Sequence, residues 1–151
     1  MIKLTKNQKG FTLIEMLIVI AIIAILAAAV IIAINPARQF AAARNSQRIS
    51  DVNAVLNGVY QNMVDNNGTF SCAVGAIPAT ATVMSSAVGG YNICSCLVNT
   101  YLAAMPGDPS NGSYTDCTNY NTDYTIAKDG TGRITITAPS AELGKTIAVT
   151  R

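Results

Sequence analysis

Residues 10–15 read Gly10-Phe11-Thr12-Leu13-Ile14-Glu15, and the apolar run they open continues to Ile34 as FTLIEMLIVIAIIAILAAAVIIAI. From Phe11 to Ile34 there are 24 residues and a single charge, Glu15. As a helix rising about 1.5 Å per residue this run reaches about 36 Å, enough to cross the hydrocarbon core of a bilayer. Lys3, Lys6 and Lys9 precede it, and no basic residue follows until Arg38. That asymmetry places the N-terminus on the cytoplasmic side. Two ordinary readings compete for such a run. One is a secretory signal peptide cut at the small residues Ala27-Ala28-Ala29, although the apolar region of signal peptides is usually only ~7–15 residues long. The other is a plain single-pass anchor, which fits the length but gives Glu15 no purpose.

Outside this run the composition changes. Half of the 151 residues are hydrophobic and only 12% are charged, where about a quarter is usual for a soluble domain. The net charge of +2 depends on the three lysines of the first nine residues; without them seven basic residues face eight acidic ones. Such a balance offers no basic groove for sequence-specific nucleic-acid binding. There is no histidine, which removes the commonest general base and metal ligand. No nucleophile motif and no catalytic carboxylate pair stands out, so an exported enzyme is disfavoured.

Downstream, Asn35-Pro36 follows the apolar run. Proline lacks a backbone donor and pushes its predecessor out of helical geometry, so a kink is expected at Pro36. Ile49, Val52, Leu56, Val59, Tyr60 and Met63 then recur at helical spacing as one apolar stripe. Arg38, Arg44, Arg48, Asp51 and Asp65 are expected on the polar face, with Arg48 and Asp51 as an i, i+3 pair worth about 0.2–0.5 kcal/mol. Asp65-Asn66-Asn67-Gly68 is a helix stop, because Asn and Gly tolerate left-handed geometry. The spacing therefore predicts one helix from about Phe11 to about Asn66, broken at Pro36. Farther on, a strand is expected around Ala79–Met84 and a short helix over Leu97–Met105. Tyr124–Ala127 and Arg133–Thr137 form a hairpin around Asp129-Gly130, and Thr146–Thr150 adds a third strand.

The Gly10–Glu15 segment, behind a short lysine-rich leader and ahead of a long apolar stretch, resembles the class III signal of type IV pilins and type II secretion pseudopilins. The resemblance continues through Pro36 into Arg48-Ile49-Ser50-Asp51, and Met105-Pro106-Gly107-Asp108-Pro109 is similar to the Pro-x-Asp-Pro segment of pseudopilins. It implies cleavage by a prepilin peptidase between Gly10 and Phe11, N-methylation of Phe11, and a role for Glu15, the fifth mature residue, as an assembly register. The family's proline lies nearer the cleavage site, at the place held here by Ile32. The implied fold is α+β, a long kinked N-terminal helix packed on a small antiparallel sheet. The expected organisation is a leader over 1–10, a transmembrane and filament-core helix over 11–35, an amphipathic second half over 36–66 and a globular head over 67–151.

Other candidates have blander readings. Cys72, Cys94, Cys96 and Cys117 lack histidine and any common zinc spacing, so two disulfides are preferred. A Cys94–Cys96 link closes too tight a ring, which leaves Cys72 with one of Cys94 and Cys96, and Cys117 with the other. Asp108 and Asp116 are calcium candidates, with Asp123 and Asp129 nearby, but all four are read first as solvated turn residues. Asn67-Gly68-Thr69 and Asn111-Gly112-Ser113 match the glycosylation acceptor pattern, and both are also ordinary turns. Arg38, Arg44 and Arg48 are read as a polar helix face more readily than as contacts to lipid head groups or DNA.

The expected partners are inner-membrane lipid before assembly, the prepilin peptidase, the pilus or type II secretion assembly machinery, and further copies of the chain in a homo-oligomeric helical filament. No cofactor is expected. The alternatives are a type II secretion or competence pseudopilin, and a membrane-tethered exported binding domain that never polymerises.

Overall fold

The computed structural model describes residues 10–151; the leader and its three lysines lie outside the described residues. The chain divides into two compact units, Met1–Gln39 and Phe40–Arg151.

In the first unit, helix α1 spans Leu13–Ile34 and none of its residues is buried. It is long and apolar enough to cross a membrane. Its many Ile and Val residues are ordinary rather than strong helix formers in water. A helix is nonetheless what a bilayer requires of them, because every backbone N–H and C=O must then be satisfied internally. α1 starts at Thr12, whose φ of −81° and ψ of 154° are extended, and stops at Asn35, which is left-handed with φ 49°. Helix α2, Pro36–Asp65, follows after that single residue. Pro36 therefore lies inside a helix, at the first position where its fixed φ is favourable, and Asn35 carries the break. Asn35 caps both helices, since its Oδ1 also accepts the Arg38 N–H at 3.3 Å.

In the second unit, α2 lies on a five-stranded antiparallel sheet. The strands are β1 Thr82–Ser85, β2 Ser113–Asp116, β3 Asn119–Lys128, β4 Ile134–Ala138 and β5 Ile147–Thr150. The order is β1-β3-β4-β5, with β2 also paired to β3. β3 is the spine. Tyr120, Thr122, Tyr124 and Ile126 alternate into the core with partly exposed neighbours, the period-two pattern of a half-buried strand. Ile134, Ile136 and Ala138 of β4 and Ile147 of β5 continue the same face. Against it pack Val52, Val55, Leu56 and Val59 of α2, all fully buried. The β3–β4 loop is tied by Asp129, whose Oδ1 accepts the N–H groups of Thr131 and Arg133 at 2.8 and 2.9 Å.

Two expectations are corrected and one strand is added. The helix placed at Leu97–Met105 is instead a single turn, α3 Cys94–Leu97. The chain after it closes back on itself through Tyr101 N–H and Leu102 N–H donating to Leu97 O, with Asn99 left-handed at φ 70°. Strand β2 was not anticipated, because all four of its residues are exposed and carry no apolar alternation. The inward stripe of α2 also differs. Ile49 is 47% exposed, while Asn45, Arg48 and Asp51 are buried beside Val52 and Val55. Two charged residues assigned to the polar face thus point into the second unit. α2 itself ends where the sequence stops it: Gly68 N–H donates to Met63 O at 2.7 Å and Asn67 is left-handed at φ 54°, the Schellman arrangement.

Candidate functional site

The Gly10–Phe11 peptide bond lies in non-helical chain just ahead of α1, with Gly10 and Phe11 both exposed. Thr12 and Glu15 form a capping box. Thr12 N–H donates to Glu15 Oε2 at 2.8 Å, the Thr12 hydroxyl donates to the same oxygen at 2.8 Å, and Glu15 N–H donates to Thr12 Oγ1 at 3.2 Å. Two of the orphan donors of a helix start are thereby satisfied, and a carboxylate stands at the positive end of the helix dipole. Thr12 is the helix-capping residue that the sequence reading missed. Its signal, Thr-x-x-Glu before an apolar run, is legible in the chain.

The four cysteines form two disulfides, Cys72–Cys96 and Cys94–Cys117, with Cα separations of 5.4 and 5.2 Å. Both span similar lengths of chain, and Cys94 and Cys96 sit on the one turn of α3. That turn points neighbouring cysteines to different partners, tying the chain after α2 and the β2–β3 turn to the same short element. The buried Asn62 of α2 adds to this region by donating to Ser71 O at 3.2 Å and accepting from Ser71 N–H at 2.9 Å.

The expected Arg48–Asp51 pair is absent. Arg48, fully buried, donates from Nε and Nη2 to the two oxygens of Asp108 at 2.6 and 3.1 Å. Its Nη1 donates to Glu142 Oε2 at 2.8 Å and to Asn45 Oδ1 at 3.0 Å. Arg44, one helical turn earlier, forms a fork with Glu142 at 2.7 and 2.6 Å. Asn45 completes the junction, exchanging bonds with the backbone of Glu142 at 2.8 and 2.9 Å. Two carboxylates from distant parts of the chain, Asp108 and Glu142, thus converge on one face of α2.

The electrostatics follow. Burial alone pushes the Asp108 carboxyl up, but the Arg48 guanidinium and the N–H groups of Ser110 and Asn111 outweigh it and hold it below the usual range. Glu142, beside Arg44 and Arg48, is held down to about 2. Asp51 behaves oppositely. Burial raises its carboxyl in spite of hydrogen bonds from Tyr124 and Gln47 at 2.9 and 2.7 Å.

Asp108 is therefore not a solvated turn residue, and both of its oxygens are engaged. Its loop makes this reach by a close backbone approach, since a Cβ on Gly112 would collide with Gly107 and Asp108. Asp116 does sit in an exposed turn, its Oδ1 accepting from Thr118 N–H at 2.7 Å and Asn119 N–H at 3.0 Å. Asp123 Oδ2 accepts from Ser140 at 2.5 Å. Among the described residues no group of three or more acidic or cysteine side chains is placed to hold a metal ion.

Residues 5–31 match the family model described as the prokaryotic N-terminal methylation motif. No curated protein and no solved structure matches the chain. The match covers the second half of the leader with Lys6 and Lys9, then Gly10, Phe11, Glu15 and most of α1. The chain thus carries the class III signal of type IV pilin and pseudopilin precursors, on a pilin-like α+β architecture.

Proposed function

We propose that this chain is the structural subunit of a type IV pilus-like filament. In this reading a prepilin peptidase cuts between Gly10 and Phe11, and the new Phe11 amine is methylated. α1 holds the subunit in the inner membrane, and assembly machinery then moves it into a homo-oligomeric helical filament outside the cell. Its role is mechanical rather than catalytic, in keeping with the structural character of proteins that carry this signal.

The observation that carries the reading is Glu15, an acid at the first turn of an otherwise uncharged helix with no buried residue. An ionised carboxylate in hydrocarbon is costly unless it is partnered. Thr12 supplies both internal donors to Oε2, and among the described residues no donor reaches Oε1. Glu15 is exposed, so that oxygen is free to take a cation from another molecule. Cleavage creates one, the ammonium of Phe11. Glu15 of one subunit paired with Phe11 of the next gives a contact between unlike surfaces, and repetition of such a contact builds an open helical polymer. Ala21, Ala24, Ala27, Ala28 and Ala29 of α1 provide the small side chains that let such helices approach closely.

The test is Glu15→Ala in cells that make the filament. Membrane insertion and disulfide formation are expected to be normal, with the yield of sheared surface filament reduced at least tenfold. A normal filament yield would remove Glu15 from the assembly contact.

A further inference from the structure

Two Asn-x-Ser/Thr segments occur in the second unit, and the structure separates them. Asn111-Gly112-Ser113 is locked. The Asn111 side-chain amide donates to Ser140 Oγ at 2.9 Å and to Asp123 Oδ2 at 3.4 Å. Its backbone N–H donates to Asp108 Oδ1 at 3.2 Å, and Gly112 N–H donates to Asp108 O at 2.8 Å. Freeing this asparagine would dismantle the loop that carries Asp108 to Arg48.

Asn67-Gly68-Thr69 is different. All three residues are exposed at the end of α2. Asn66 beside them is spent on Asn62 O at 2.7 Å, but the Asn67 amide and the Thr69 hydroxyl have no partner among the described residues. Among the described residues, two backbone bonds hold the segment, Gly68 N–H to Met63 O and Thr69 N–H to Asn66 O. Helix ends of this kind open at small cost. An open groove lined by Asp65, Asn66, Asn67, Thr69, Phe70 and Cys72 runs alongside. Asp65 stands two residues ahead of Asn67, and Pro109 two residues ahead of Asn111.

We propose that Asn67 is a glycosylation site, modified on the exported side of the membrane from a polyprenyl-pyrophosphate-linked saccharide by a membrane oligosaccharyltransferase. The side-chain nitrogen of Asn67 bonds to the anomeric carbon of the sugar. The anomeric carbon–oxygen bond to the pyrophosphate breaks, the polyprenyl pyrophosphate leaves with the electron pair, and the one proton lost by the amide passes to solvent. Thr69 supplies the hydroxyl that the acceptor pattern requires two residues after the asparagine. A glycan here adds bulk and solubility to the end of α2 without touching the core.

The proposal needs export but not filament assembly, so it is tested on protein extracted from the membranes of its own cells. Intact mass and peptide mapping are expected to show at least one saccharide on the peptide Ile49–Lys128. The added mass is expected to vanish in Asn67→Gln and in Thr69→Ala, and to persist in Thr69→Ser and Asn111→Gln. Thr69→Ala leaves the left-handed Asn67 in place, so it reports even where Asn67→Gln disturbs the helix end. A peptide of bare polypeptide mass, or an added mass that survives Asn67→Gln, would overturn the proposal. Leader processing is read from a separate N-terminal peptide, so either conclusion can fail alone.

Discussion

Arg48 of α2 grips both oxygens of Asp108, sixty residues later in the chain, with no solvent contact at either side chain to speak of: 1% and 0% exposed. A bidentate guanidinium–carboxylate pair is geometrically specific as well as strong. Here it fixes the loop before β2 against the helix, and through Glu142 it does the same for the loop before β5. Breaking a buried pair leaves an uncompensated charge, which costs about 3–5 kcal/mol. Asp108→Ala is therefore expected to lower the melting temperature of the detergent-solubilised protein sharply, followed through tyrosine near-ultraviolet dichroism. The exposed Asp116→Ala serves as the control and is expected to change it little. Equal effects from the two would contradict the buried-clasp assignment.

Acid is expected to loosen the same junction. Arg44 first, and then Arg48, hold Glu142 at about 2, against an ordinary value of 4.5. A carboxyl lowered in this way adds stability that is present above its unfolded value and lost as pH falls through the folded one. The loss should therefore run from about pH 4.5 down to about pH 2. Asp51, raised by burial, opposes it, contributing stability at low pH that fades as pH rises. The measurement is accordingly a difference. Glu142→Gln should melt below the parent at pH 7, and the gap should close on acidification across that window. A gap independent of pH would show that Glu142 acts by packing alone.

The two disulfides close loops of nearly equal length, with sequence separations of 24 and 23. Loop-closure entropy then assigns each about 3.5 kcal/mol. Replacing Cys72 and Cys96 together by serine is expected to destabilise the second unit about as much as replacing Cys94 and Cys117. Non-reducing peptide mapping should recover the 72–96 and 94–117 linkages. A 72–94 linkage would contradict the arrangement on α3.

Glu15 has two possible uses, cap and charge, and they separate chemically. Glutamine keeps the reach-back of a capping box but carries no charge. Glu15→Gln is expected to lower filament yield as much as Glu15→Ala does, while Thr12→Ala, which removes the cap and keeps the charge, leaves yield near normal. Recovery of filaments in Glu15→Gln would make Glu15 a cap only.

The sequence made α1, the break before Pro36, the end of α2 and the β3–β4 hairpin legible, because each rests on a local rule: apolar length, proline geometry, left-handed Asn and Gly, strand alternation. It did not show that Arg48 and Asp51 turn inward. Their partners, Asp108, Glu142 and Tyr124, lie 60 or more residues away, and no local pattern announces such a meeting. Charged residues on a helix read as surface until a partner is in view. Ile49 lost its expected place for the same reason, since the buried stripe is centred on an arginine. β2 was silent because a wholly exposed edge segment is specified by its neighbour, β3, and not by its own residues. The Thr12–Glu15 box was local and could have been read.

The most direct test of a processed filament subunit is the N-terminal tryptic peptide of the protein in the sheared surface fraction. The account predicts Phe11–Arg38 carrying one added methyl group on its amine. A peptide beginning at Gly10, left by trypsin after Lys9 of an uncut precursor, or an N-terminus near Val30, would contradict it.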